Sequence, residues 1–146
     1  MAPSLPPIRP EDEAVAAKLR PHGAFDPTGV EPHVAAYRDY LMRLGDDALV
    51  LGQRVSEWCG RGPVLEVDIS LANLALDLIG QATLLLGEAG DGDQLAFHRD
   101  VLDFRNCLLV EQPNGDFAQT MARHLLYTTW QHLLLQRLTQ SSDRFL

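Results

Sequence analysis

Three stretches of the chain repeat their apolar residues at helical spacing. In the first, Tyr37, Tyr40, Leu41, Leu44, Ala48, Leu51, Val55 and Trp58 recur every three or four positions, which gathers them on one helix face. The spacing predicts a helix over 37–59, stopped by Gly60, Gly62 and Pro63. The second helix is expected over 67–86, with Asp68 or Ser70 able to cap it. Leu71, Leu74, Leu78, Ala82 and Leu85 mark one face, and Ala72, Ala75, Leu76 and Ile79 spread apolar character around the rest. A helix with so little polar face belongs at the centre of its assembly. The third is expected over 117–138, capped by Asp116 or Asn114. Phe117, Met121, Leu125, Thr129 and Leu133 lie on one side, and Leu126, Trp130, Leu134 and Leu138 widen the stripe.

Between the second and third helices, 93–112 is irregular, with Leu95, Phe97, Val101, Leu102 and Phe104 suited to short turns. Pro113-Asn114-Gly115 is a turn signal in which glycine can take positive φ. No strand-like alternation of useful length appears, so the expected class is all-α. Two glycines, Gly45 and Gly52, sit inside the first helix. Each costs roughly 1 kcal/mol of helix propensity relative to alanine, which is tolerated where a neighbouring helix comes close.

The helical pattern divides the chain into a Pro-rich arm over 1–32 and a helical domain over 33–146. Pro3, Pro6, Pro7, Pro10, Pro21, Pro27 and Pro32 punctuate the arm, leaving room for at most a short helix over 11–20. Such a segment either frays or lies along a partner.

Composition narrows the function classes. Leucine fills 25 of the 146 positions, and 20 acids against 12 Lys plus Arg give a net charge of -8. A basic nucleic-acid-binding surface is excluded as a whole-chain property. Cys59 and Cys107 make no disulfide framework and fit reduced cytosolic thiols. No window holds 18 uninterrupted apolar residues, so no membrane span is expected. The first residues lack the pattern of a secretory signal, and a cytoplasmic location is the expectation.

A search for chemistry finds no phosphate-binding glycine loop, no zinc-type Cys/His cluster and no nucleophile elbow. Helical bundles hold two irons through Glu residues and Glu-x-x-His pairs, and this sequence contains no Glu-x-x-His. Asn73, Asp77 and Gln81 instead stand four apart in the apolar second helix, while His124, Thr128 and Gln131 make a similar line on the third. A buried carboxylate must be paired or protonated, and Arg54 is a candidate mate for Asp77. Arg54, Asn73, Asp77, Gln81 and His124 are therefore assigned to a structural polar core. The competing reading is metal ligation by Asp77 with His124 or Glu57. Asp46 and Asp47 diverge by about 100° on a helix and cannot easily chelate one ion together. Asp46 is expected at the surface and Asp47 inward. Trp58 and Trp130 are expected as core anchors.

Three segments resemble one family: Arg43-Leu-Gly-Asp-Asp-Ala-Leu-Val-Leu-Gly-Gln-Arg-Val-Ser-Glu-Trp-Cys-Gly60, Leu65-Glu-Val-Asp-Ile-Ser-Leu-Ala-Asn-Leu-Ala-Leu-Asp-Leu-Ile-Gly-Gln-Ala82 and Leu108-Leu-Val-Glu-Gln-Pro-Asn-Gly-Asp-Phe-Ala118. They are similar to the structural (PaaC-type) subunits of the multicomponent phenylacetyl-CoA ring epoxidase. The likeness covers roughly 40–138, and its motifs are Glu-Gln-Pro-Asn-Gly and Asn-x-x-x-Asp-x-x-Gly-Gln. It implies a ferritin-like helical bundle, incomplete in this chain, and a non-catalytic role with no cofactor of its own. It also implies a hetero-oligomeric partner, the catalytic PaaA-like subunit, which carries the two irons and takes the CoA ester. Gln131-His132 departs from the family's Trp-His order. The chain is shorter than the family's usual length, so a fragment or a companion chain supplying the missing helices is expected. Leu76, Ile79 and Leu86 are expected to need cover from downstream sequence, a second copy of the chain or the catalytic subunit, so a homo- or hetero-oligomer is expected and the chain alone is expected to be aggregated, molten or obligately oligomeric. Two other functions compete with the scaffold: an independent di-metal oxidase with an unusual ligand set, and a helical adaptor unrelated to oxygenases.

Overall fold

The computed structural model describes residues 31–142. The expected 11–20 helix and nearly all of the Pro-rich arm lie outside that range. Three long helices are present: α1 (Glu31–Ser56), α2 (Leu65–Ala89) and, after an excursion, a third spanning Phe117–Leu138. The excursion carries α3 (Gly92–Phe97), a 3-10 turn (Val101–Asp103) and α4 (Leu108–Glu111), which makes the last long helix α5. No strand occurs among the described residues. Pro32 lies in the first turn of α1, where its missing N–H leaves no intrahelical bond unmade.

α1 and α2 form an antiparallel hairpin. Val55 shares a cluster with Leu71 near the turn, and Gly45 meets Leu86 far from it. The two helix glycines are the points of closest approach. A Cβ on Gly45 would come within 2.7 Å of Leu86 Cδ2, and one on Gly52 within 3.2 Å of Ile79 Cγ1 and 3.3 Å of the Ala75 carbonyl oxygen. The lost helix propensity is thus offset by backbone proximity. Gly60 ends the first helix's turn with φ +76. Neither expected cap opens α2: its N-cap position is Val64, with no side-chain bond. Asp68 acts across the turn instead, its Oδ1 accepting the N–H groups of Gly60 at 2.9 Å and Gly62 at 3.1 Å.

The excursion returns the chain along α1. Leu95 of α3 joins Ala48, Leu49, Ala82 and Leu86 in one core cluster. Val110 of α4 joins Leu51, Val55, Leu71, Ala75, Leu78 and Tyr127 in the other. α5 then starts beside Trp58 at the α1 C-terminus, the Trp58 and Phe117 rings meeting edge-to-face at 5.4 Å. It reaches Gln81 of α2 through a 2.8 Å bond from Gln131. α5 therefore runs parallel to α2 and antiparallel to α1. A long crossover between two parallel helices is how a ferritin-like bundle is connected, and three of its long helices are present here.

The buried faces differ from the leucine pattern in two places. On α5 the buried residues are Thr120, Arg123 and Tyr127, while Leu125, Leu126, Trp130 and Leu133 are exposed. Trp130 is thus no core anchor in this chain, although it touches Tyr127 at 5.5 Å between ring centroids. Thr120 and Arg123 turn inward onto the 112–114 turn, the Thr120 hydroxyl on the Asn114 carbonyl and Arg123 on the Gln112 carbonyl and the Asn114 side chain, while Tyr127 packs in the apolar cluster with Leu51 and Val110. On α2 the buried stripe is Leu71, Ala75, Leu78, Ala82 and Leu86. Leu76 is 67% exposed as expected, but Leu86 is 1% exposed, fitted against Gly45. By length and composition α2 meets the requirement for crossing a membrane, because the apolar run absorbs Asn73, Asp77 and Gln81. Here one stripe of that run packs against α1.

Candidate functional site

Two consecutive acids on α1 hold the crossover down. Asp46 is fully buried and Asp47 nearly so, which corrects the expected surface position of Asp46. Asp46 Oδ2 accepts the backbone N–H of Arg105 at 2.8 Å, and Asp47 Oδ1 accepts that of Cys107 at 2.6 Å. The segment 104–107 is extended, with Phe104 at φ -69, ψ 141 and Cys107 at φ -74, ψ 151. The amides of Arg105 and Cys107, two residues apart, each meet one of the two diverging carboxylates. The roughly 100° divergence that prevents chelation of one ion suits two separate anchors.

Arg99 completes the clamp. Its guanidinium forks onto Asp46, with Nη1 2.9 Å from Oδ2 and Nη2 on Oδ1, and its side chain is only 10% exposed. The same guanidinium lies 4.2 Å over the Phe104 ring. Arg105 reaches back to Asp39 at 2.5 Å. Arg43, bonded to Asp39, and Arg105 together hold that carboxyl below the ordinary range. Burial pushes the Asp47 carboxyl upward, and its bond from the Cys107 amide works against that shift. The Tyr127 hydroxyl is buried without a hydrogen-bond partner. Burial first, then Asp47 and Cys107, push it far above a usual phenol.

A second network ties the Glu111-Gln-Pro-Asn-Gly115 turn to α1 and α5. Asn114 donates to the Arg54 carbonyl at 2.7 Å and to Glu57 Oε2 at 3.0 Å. Its side-chain oxygen accepts from Arg123, which also binds the Gln112 carbonyl. Its backbone carbonyl accepts the Thr120 hydroxyl at 2.8 Å, and that hydroxyl in turn accepts Trp58 Nε1–H at 3.1 Å. Gly115 supplies the left-handed turn at φ +59, and Asp116 caps α5 through the Gln119 amide at 2.8 Å.

The residues assigned to the polar core are dispersed. Arg54 pairs with Glu57 at 3.1 Å and donates to the Glu111 carbonyl at 3.2 Å, so its partners are not Asp77. Asn73 and Asp77 are exposed on α2, on the side away from α1. Gln81 is half-buried and accepts from Gln131. His124 is half-buried with Nδ1 unpartnered, and burial followed by the neighbouring Arg123 lowers its pKa. The sequence pattern did not single out Arg99 or Arg123, and it offered Asn114 only as a turn or cap residue, not as the centre of a network. The Glu-Gln-Pro-Asn-Gly motif carried the signal for Asn114. Arg99, in the irregular 93–112 stretch, carried none.

The donors present do not suit a pair of irons. Among the described residues no three His, Cys, Asp or Glu side chains come together within ligating range. Both oxygens of Asp46 are engaged by the Arg99 guanidinium and the Arg105 amide, and Asp47 Oδ1 by the Cys107 amide. An Asp46/Asp47 clamp and an Asn114-centred network fix the crossover across three long helices, and the class they define is a ferritin-like helical bundle, partial in this chain.

The chain belongs to the phenylacetic acid catabolic protein family, whose pattern matches residues 28–146. It is similar to the PaaC subunit of the 1,2-phenylacetyl-CoA epoxidase of Escherichia coli (strain K12), with 53% identity over 110 residues. That alignment takes in 71% of this chain and 44% of the relative, so the chain spans less than half the relative's length.

Proposed function

We propose that the chain is a non-catalytic structural component of a multicomponent monooxygenase that epoxidises the ring of phenylacetyl-CoA during aerobic, cytoplasmic phenylacetate degradation. Its role is to hold a catalytic PaaA-like subunit, which carries the di-iron centre, in working shape. The observation that carries this reading is the use of Asp46 and Asp47. Both are buried acids on the first bundle helix, and both close on peptide N–H groups of the crossover rather than converging on a common point. Acids committed in this way stiffen a scaffold. The exposed leucines of α2 and α5 suit a bundle completed by further helices or by a partner. The likeness to an epoxidase subunit supplies the reaction class.

The test is co-expression with the di-iron subunit of the same source. The chain should co-purify with it in fixed stoichiometry, and oxygen-dependent turnover of phenylacetyl-CoA should require both. Turnover by this chain alone, or full turnover by the di-iron subunit without it, would contradict the proposal.

A further inference from the structure

The crossover does more than connect α2 to α5. Around α3 and the 3-10 turn it exposes large apolar side chains: Phe97 is 73% exposed, Val101 78% and Leu102 90%. They sit beside Asp91, Asp93, Asp100 and Asp103, all exposed. None of these four acids is ion-paired within the described residues. Asp91 caps α3 through the Gln94 amide, and Asp100 and Asp103 cap each other's turn, bonds that leave their charge in place. The basic residues of the stretch point the other way, Arg99 into Asp46 and Arg105 onto Asp39. Arg38 approaches one edge, against Gly90. The outer surface is therefore an apolar tip in an acidic rim, and the clamp beneath it holds its base in place.

A fixed apolar tip is a poor device for a free surface and a good one for an interface. With the crossover backbone tied to α1 through Asp46 and Asp47, little loop freedom is lost on binding, and apolar anchors ringed by charge are how interface hot spots are built. The rim selects the occupant. A second copy in an isologous contact would set the acidic rim against itself, and the chain already carries -8. We propose that Phe97, Val101 and Leu102 dock into an apolar pocket rimmed by Arg or Lys on the catalytic subunit, with the Asp91, Asp93, Asp100 and Asp103 rim setting orientation. This rests on the scaffold function proposed above and adds the surface and chemistry of the contact.

The test measures binding of the chain to the purified di-iron subunit by biolayer interferometry at low and high salt. F97S combined with L102S should raise Kd by about tenfold or more. D93K should also weaken binding and reduce its salt dependence, because it removes one of the charges being screened. Both variants alter exposed positions, and unchanged far-UV circular dichroism would verify their fold. Wild-type binding matched by both variants would overturn the docking surface while leaving the scaffold function standing, and no wild-type binding would overturn both. Self-association of the wild-type chain that F97S/L102S abolishes would assign the tip to a second copy and overturn the proposal. So would amide protection of 97–102 in the free chain that disappears on deleting residues 1–30, which would assign it to the chain's own N-terminal segment.

Discussion

Replacing Asp46 with alanine should release the crossover from α1. The carboxylate accepts three bonds: two from the Arg99 guanidinium and one from the Arg105 amide. Arg99 is 10% exposed and Asp46 not at all, so the substitution leaves a largely buried charge without its partner. Breaking a buried pair on one side costs about 3–5 kcal/mol. The orphaned Arg105 N–H falls within the same local opening. Amide exchange of residues 103–107, read by mass spectrometry on the assembled protein, reports that opening directly. Its rate should rise by about a hundredfold to a few thousandfold. D46N keeps an acceptor for the Arg105 amide and should give a smaller rise. D46L with R99L removes both charges, and its remaining deficit should be about 1–3 kcal/mol, the value of one unmet amide. Exchange in D46A within about threefold of wild type would refute the assignment of Asp46 as the anchor.

Three further outcomes follow from the packing and the two networks. Gly45→Ala gains about 1 kcal/mol of helix propensity but drives a methyl to 2.7 Å from Leu86 Cδ2. Overpacking costs about 1–3 kcal/mol, so a lower Tm is expected, and a raised Tm would mean the two helices part easily. Asn114→Ala leaves Arg123 and the Arg54 carbonyl short of a partner and should cost about 1–3 kcal/mol or more in urea unfolding, against almost nothing if the turn is held by its backbone alone. His124 has a folded pKa below its ordinary 6.5 because burial, then Arg123, disfavours its cation. The unfolded chain therefore binds that proton more readily, so the contribution of His124 is complete above pH 6.5 and is lost as pH falls through the folded pKa. A melting series in which His124→Gln loses less stability than wild type on acidification is expected; parallel curves would rule out this histidine as a source.

The long helices were legible because their apolar spacing and breakers agree: Gly60 and Gly115 sit where positive φ is needed, and Gly45 and Gly52 sit where α2 closes on α1. The all-α, ferritin-like architecture followed from the same pattern together with the family motifs. The inward face of α5 was not legible. Its leucines mark the apolar stripe, yet Thr120, Arg123 and Tyr127 are buried: Thr120 and Arg123 bond the 112–114 turn, and Tyr127 packs in the apolar cluster with Leu51 and Val110. Asp46 was misplaced for a related reason. Periodicity assigns a helix a single inner face, whereas α1 is covered on one side by α2 and on another by the crossover, so adjacent acids can both be buried. The Asn73 and Asp77 positions show the converse. An apolar helix was read as buried all round, but the described residues cover only one stripe of it.

The scaffold role is tested most directly by locating the iron. The complex of this chain with the di-iron subunit would be loaded anaerobically with iron, separated into its chains under native conditions, and each chain assayed for metal. The account predicts about two irons per catalytic subunit and no stoichiometric iron on this chain, with Asp46→Asn and Asp47→Asn leaving the total unchanged while loosening the crossover. Iron retained by this chain, and lost when either aspartate is replaced, would contradict it.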